Sequence, residues 1–191
     1  MAVENDSLCT LDEVKNFIGM TGSKQLDDDL IEDLCDRVTV IFERHCGRES
    51  FKDQTYTEFY DGENSEHLFV NNVPIVSVTS IHNDTEWVWG TDTLIDSANY
   101  RIVDGKYIVF KSERIAKSDQ SIRIAYVAGY TSIPKDLKQV AIEEAARRYR
   151  HRKDFDVISK TLSDGTSDYA PPGLLKSTVG VLNFYRLNSV Y

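Results

Sequence analysis

Four histidines, His45, His67, His82 and His151, and three cysteines, Cys9, Cys35 and Cys46, carry the side-chain chemistry that could hold zinc. Tetrahedral zinc sites draw on ligands paired at short spacing, and here only His45 and Cys46 are adjacent. Three buried, unlinked thiols and no metal are therefore expected. Asp61-Gly62-Glu63-Asn64-Ser65-Glu66 is acidic enough for calcium but lacks the alternating ligands of an EF-hand loop, so it reads as a turn. No G-x-S-x-G, phosphate loop or G-x-G-x-x-G occurs, which leaves no catalytic residue and no cofactor site to name.

Two other clusters could serve binding. Arg147, Arg148, Arg150, Arg152 and Lys153 crowd the end of a helical pattern, in a chain whose net charge is -9. Cations there complement the helix dipole; they could also form a patch between subunits or towards passing DNA. Trp87 and Trp89, within the polar run from Asn83 to Asn99, would share a face if extended and could anchor an interface or a sugar, or one could pack in the core.

The elements that must position these groups follow from spacing. Thr10-Leu11-Asp12-Glu13 is a capping box, followed by Leu11, Val14 and Phe17 at helical intervals and closed by Gly19, which predicts a helix over 11–18. Asp27 to Asp29 suit a helix start, and Leu30, Ile31, Leu34, Cys35, Val38, Ile41 and Phe42 form one stripe of a helix over 28–46 with Gly47 after it. From 51 to 129 the period falls to two. Tyr56 to Tyr60 and His67 to Val70 read as a hairpin, Ile75 to Ile81 as a strand, Tyr100 to Lys111 as a hairpin turning at Asp104-Gly105, and Ile122 to Val127 as the last strand. Together they predict an antiparallel sheet of about five or six strands.

Pro134 suits the first position of a helix over 134–152, whose alanines 141, 145 and 146 permit close approach of a neighbour. The Ser/Asp/Gly-rich stretch 153–172 reads as a linker or loop, and 173–191 as a C-terminal helix or docking arm carrying Leu174, Leu175, Val179, Leu182 and Tyr185. The fold class is α+β: a small bundle of about four helices with an inserted antiparallel β-region, residues 1–152 forming the main domain.

Composition narrows the function. The 191 residues include 22 Lys+Arg, 31 Asp+Glu and 41% hydrophobic residues, enough for a core without staples. The acidic balance disfavours sequence-independent duplex binding. No apolar run reaches the ~20 residues of a membrane span, and the opening MAVENDSLCT lacks the regions of a secretion signal, so synthesis in a reducing cytosol is expected.

The order of these pieces resembles the head–tail connector (adaptor, head-completion) proteins of long-tailed bacteriophages. The residues that carry the resemblance are Leu11 to Lys15, Glu43-Arg44-His45-Cys46-Gly47-Arg48, Tyr60-Asp61-Gly62 and Val73-Pro74-Ile75-Val76-Ser77-Val78. The strongest are Ile124 to Tyr130 followed by Ile133-Pro134-Lys135-Asp136-Leu137. The resemblance implies a non-enzymatic virion protein of the neck, joined with itself in a ring of about twelve subunits. It implies contacts with the portal protein and the next neck, stopper or tail protein, transient non-specific DNA passage through the lumen, and no membrane partner. In such connectors the C-terminal region tends to reach the portal, which would make the stripe from Leu174 to Tyr185 the partner surface. The alternative is a module that binds sugar or peptide through Trp87, Trp89 and nearby tyrosines.

Overall fold

The computed structural model describes residues 7–20, 27–111, 115, 117–152, 159–162, 165–168 and 173–187. The chain divides into two units: a helical one from residues 1–49 and 133–186, and a β unit from 50–132 with 187–191.

In the helical unit, α1 (Leu11–Ile18) begins at the capping box: the Glu13 N–H donates to Thr10 Oγ1 at 3.3 Å and the Thr10 N–H to Glu13 Oε2 at 3.0 Å. α2 (Asp28–Cys46) buries Ile31, Leu34, Cys35, Val38, Phe42 and Cys46. α3 (Lys135–Arg150) faces it with Leu137, Val140, Ala141, Ala145, Ala146 and Tyr149 buried. Pro134 is not the first helical residue as expected: its ψ of 139° is extended, and its carbonyl accepts from the Lys138 N–H at 2.9 Å, so it caps the helix from outside. Lys15 to Asp28 and Lys138 to Glu13, each at 2.8 Å, tie α1 to α2 and α3.

The C-terminal segment corrects two boundaries. α4 is shorter than 173–191, running Lys176–Tyr185 with Leu175 at its N-cap. It packs on α2 and α3 of its own unit and buries Leu182 completely. The Arg48 Nε donates to the Tyr185 carbonyl at 2.7 Å, and the Tyr185 hydroxyl to Asp136 at 2.6 Å. It is thus a fourth member of the bundle and not a detached arm, because a short helix holds only when its apolar stripe finds a surface. The expected linker likewise contains a hairpin, β7 (Ser159–Leu162) with β8 (Gly165–Asp168), paired from Ser159↔Asp168 to Leu162↔Gly165.

The β-region forms two antiparallel sheets where one was expected. The first has order β1 (Gln54–Gly62), β6 (Ser118–Ala128), β3 (Ile75–Asn83); the second has order β2 (His67–Phe69), β5 (Tyr107–Phe110), β4 (Tyr100–Val103). The predicted hairpin of β1 with β2 is absent, since β1 pairs with β6 from Gln54↔Ala128 to Tyr60↔Ile122 and β2 with β5. β6 is long enough to pair most of β1, whereas β2 offers three residues. The β4–β5 hairpin forms as expected, with φ of 51° at Asp104 and 64° at Gly105 and the Lys106 N–H bonded to the Val103 carbonyl at 2.9 Å.

Tyr56, Ile81, Ile122, Ile124 and Tyr126 of the first sheet share one buried cluster with Leu68, Ile108 and Phe110 of the second. The two sheets therefore pack face to face as a small sandwich. Gly129 ends β6 at φ 126°, where a Cβ would lie 2.4 Å from the Lys52 carbonyl oxygen, so the Ala128-Gly129-Tyr130 turn accepts no side chain at its centre.

Candidate functional site

The basic cluster is drawn largely inward. Glu144 is buried, and its Oε1 accepts from Arg147 at 2.7 Å and from Arg148 at 2.8 Å, an i,i+3 and i,i+4 fork around one carboxylate. Arg147 also donates to the Gly173 carbonyl at 2.7 Å, holding the approach to α4. Arg152 reaches Asp27 at 3.3 Å and stacks 3.9 Å from the Tyr149 ring centroid. The Tyr149 hydroxyl donates to the same carboxylate at 2.6 Å, and that bond, with burial, holds its pKa above the ordinary tyrosine value. Among the described residues of the cluster Arg150 and Arg152 are exposed; Lys153 lies outside them. Three of the four described cations of the cluster, Arg147, Arg148 and Arg152, are thus held by carboxylates of their own unit.

The tryptophans do not form the shared face that extended backbone would have produced. Trp87 has φ 59° and Trp89 φ 56°, because the loop is wound about Asp84. The buried Asp84 carboxylate accepts the backbone N–H groups of Glu86 at 2.8 Å, Val88 at 2.9 Å and Trp89 at 2.7 Å. These bonds, that of Glu86 foremost, hold its pKa below the usual carboxylate value. Trp89 is half-buried against the sheet, 5.5 Å from Phe59 and 5.2 Å from the Arg123 guanidinium. Trp87 faces solvent at 58% exposure, with its indole N–H on the Asp119 carbonyl at 3.2 Å, and Val88 beside it is 74% exposed. One indole is offered outward, so no two-ring sugar platform exists here.

Along α4 and its approach, Leu182 is fully buried, while Leu174, Leu175, Val179 and Tyr185 are half-buried. The apolar residue that α4 turns outward is Phe184, 86% exposed, which the helical stripe had not included. A second unforeseen surface is the outer face of the β2-β5-β4 sheet, where Phe69, His67 and Tyr107 stack with centroids 5.3 and 5.8 Å apart. Its signal was the alternation of His67-Leu68-Phe69 around the inward Leu68.

The three cysteines are free and buried, as expected. A thiol hydrogen bond between Cys9 and Cys35, together with burial, pushes Cys9 above the usual thiol range, and burial pushes Cys46 up to about 11. Among the described residues no group of three or more His, Cys, Asp or Glu is placed to hold a metal, and no helix is long and apolar enough to cross a membrane. Glu58 accepts from Tyr126 at 2.7 Å, from Asn72 at 3.0 Å and from Tyr60, a polar knot that orders the sandwich edge. Burial, reinforced by Glu58, raises the pKa of both tyrosines.

A four-helix unit and a β-sandwich whose exposed apolar residues include Phe69, Trp87, Val88 and Phe184 define a class of assembly proteins whose work is done by surfaces. The model of the head completion protein family matches residues 7–187, so the chain belongs to that family, and its role is that of a structural head–tail connector. Its fold is similar to that of a chain from the neck of an empty gene transfer agent particle computed with C6 symmetry, at 17% identity and a TM-score of 0.65, covering 100% of this chain and 95% of that one. A chain from the neck of the native particle computed with C12 symmetry matches at 16% identity and 0.61, covering 100% and 94%. A third, from the virion of the native particle, matches at 15% identity and 0.60, covering 100% and 95%. No curated protein sequence matched.

Proposed function

We propose that this chain closes a ring of about twelve copies at the neck of a tailed particle, between the portal and the next neck or tail protein, and lets DNA pass through the lumen. Membership of the head completion family over residues 7–187 is the observation that carries this reading. The fold shared with neck chains of C6 and C12 assemblies supports it. A conduit must not hold the polyanion it passes. A net charge of -9, with Arg147, Arg148 and Arg152 already paired to carboxylates, leaves little to bind phosphates.

The portal-facing surface is assigned to α4 and its approach: Phe184 points outward, while Leu174, Leu175 and Val179 stay half-buried along it. Leu182 and Tyr185 act from beneath by fixing the helix on the bundle. This surface is a ridge already in place, so docking needs no ordering of a loose segment. The test is co-sedimentation of the purified chain with tail-less, portal-bearing heads. The wild type should pellet with the heads, and Phe184→Ser should stay in the supernatant with an unchanged melting temperature. Equal attachment of the two would remove the portal role of Phe184, and failure of the wild type to attach would remove the connector reading.

A further inference from the structure

We propose that copies of this chain join head to tail through the two outer faces of the β-sandwich, the Trp87–Val88 tip of one copy seated on the Phe69–Tyr107–Val103 row of the next. The inference rests on the ring reading above and names the surfaces that would close the ring.

A cyclic assembly needs two different, complementary patches on each copy, placed so that one can meet the other without blocking itself. Strand alternation puts them there. In β1, Tyr56 faces the shared core, so Phe59 faces out, and its register partner Arg123 lies on the same side. Trp89 packs on both residues, so the Asp84-wound loop sits on the outer face of the first sheet. In the second sheet Leu68, Ile108 and Ile102 face the core, leaving two outward rows, His67–Val109–Arg101 and Phe69–Tyr107–Val103, in register. The loop and the rows thus occupy opposite faces of one sandwich.

Their chemistry is complementary. The loop presents Trp87 and Val88, 58% and 74% exposed, on a backbone already fixed by the Asp84 carboxylate, so little ordering is left to do on contact. The receiving row is aromatic and half-open, with Phe69 52% exposed. From Asn83 to Asn99 the chain carries Asp84, Glu86, Asp92 and Asp96 and no Lys or Arg, whereas the receiving rows carry Arg101 and no carboxylate. With Asp84 turned to its own backbone, exposed Glu86 next to Trp87 is the acid that meets Arg101 of the neighbouring copy. A sugar or a different neck protein on Trp87 would have no reason to need the opposite sheet face as well, and that separates the alternatives.

The experiment places Val88→Cys and Phe69→Cys together in the full chain, incorporates it into particles, and treats these with a short bismaleimide; the native thiols are buried and stay unreacted. Both positions are exposed, so a thermal melt should match the wild type. A ladder of covalent dimers, trimers and higher species should appear, absent from either single variant. Glu86→Arg should abolish the ladder and addition of Arg101→Glu restore it. The chain present in particles with no ladder, or a ladder indifferent to Glu86→Arg, overturns the inference and leaves the ring reading standing. Dimers from one single variant would mean a two-fold contact and overturn it too. A chain missing from the particles removes the ring reading, and this inference with it.

Discussion

Replacing Glu144 by Gln tests the claim that the basic cluster serves the bundle from inside. Gln keeps the shape and loses the charge. Arg147 and Arg148, whose side chains are 18% and 29% exposed, then share a carboxamide in place of the carboxylate, which has no exposure at all. Breaking a fully buried ion pair costs ~3–5 kcal/mol, but two partly exposed guanidiniums recover some hydration, so the loss should be ~2–3 kcal/mol. For a chain this size that lowers the midpoint by about 2–4 °C per kcal/mol, or roughly 4–12 °C in all. The helical far-ultraviolet signal followed on heating is the assay, with Arg150→Gln as control, since a change at that exposed position should stay within about 0.5 kcal/mol. A Glu144→Gln melt within about 1 °C of the wild type, or an Arg150→Gln melt equally depressed, would refute the reasoning.

Three further outcomes are expected. Leu182→Ala should destabilise the helical unit by ~2–5 kcal/mol, because Leu182 is fully buried, and a neutral melt would mean that α4 is not part of the bundle. Cys46 titrates higher folded, at about 11, than its ordinary 9.0. Its share of stability is therefore complete below pH 9 and lost as pH rises through the folded value; denaturant midpoints that already fall between pH 7 and 8 in the wild type but not in Cys46→Ala would contradict this. Asp84→Ala should free the 84–89 loop and lower the fluorescence anisotropy of Trp87 and Trp89. Because the Asp84 pKa is lowered from 3.8, the wild-type loop should loosen only in acid below that value, and loosening already at pH 5 would count against the clasp.

What could be read ahead was local. The Thr10/Glu13 box, the glycines after α1 and α2 and the Asp104-Gly105 turn each specify their own geometry within a few residues, and all appear where expected. Strand partnership was not local. Whether β1 pairs with β2 or with β6, more than fifty residues away, depends on which partner runs its whole length, and nothing near Asp61-Gly62 encodes that. The candidate sites failed for a related reason. A Glu with Arg three and four residues on reads as a solvated helix pair, and only the packing of α3 against its neighbours makes it a buried fork. Extended alternation assigned Trp87 and Trp89 to one face, but an Asp collecting N–H groups of the residues after it competes with the strand and wins, a habit of that side chain that the sequence alone leaves undecided.

The central claim is that this chain joins head to tail. A stop codon introduced early in its reading frame, with particles examined by electron microscopy, tests that most directly. DNA-filled heads and free tails should accumulate unattached, and supplying the wild-type chain in trans should restore joined particles. Tailed, infectious particles assembled without the chain would contradict the account.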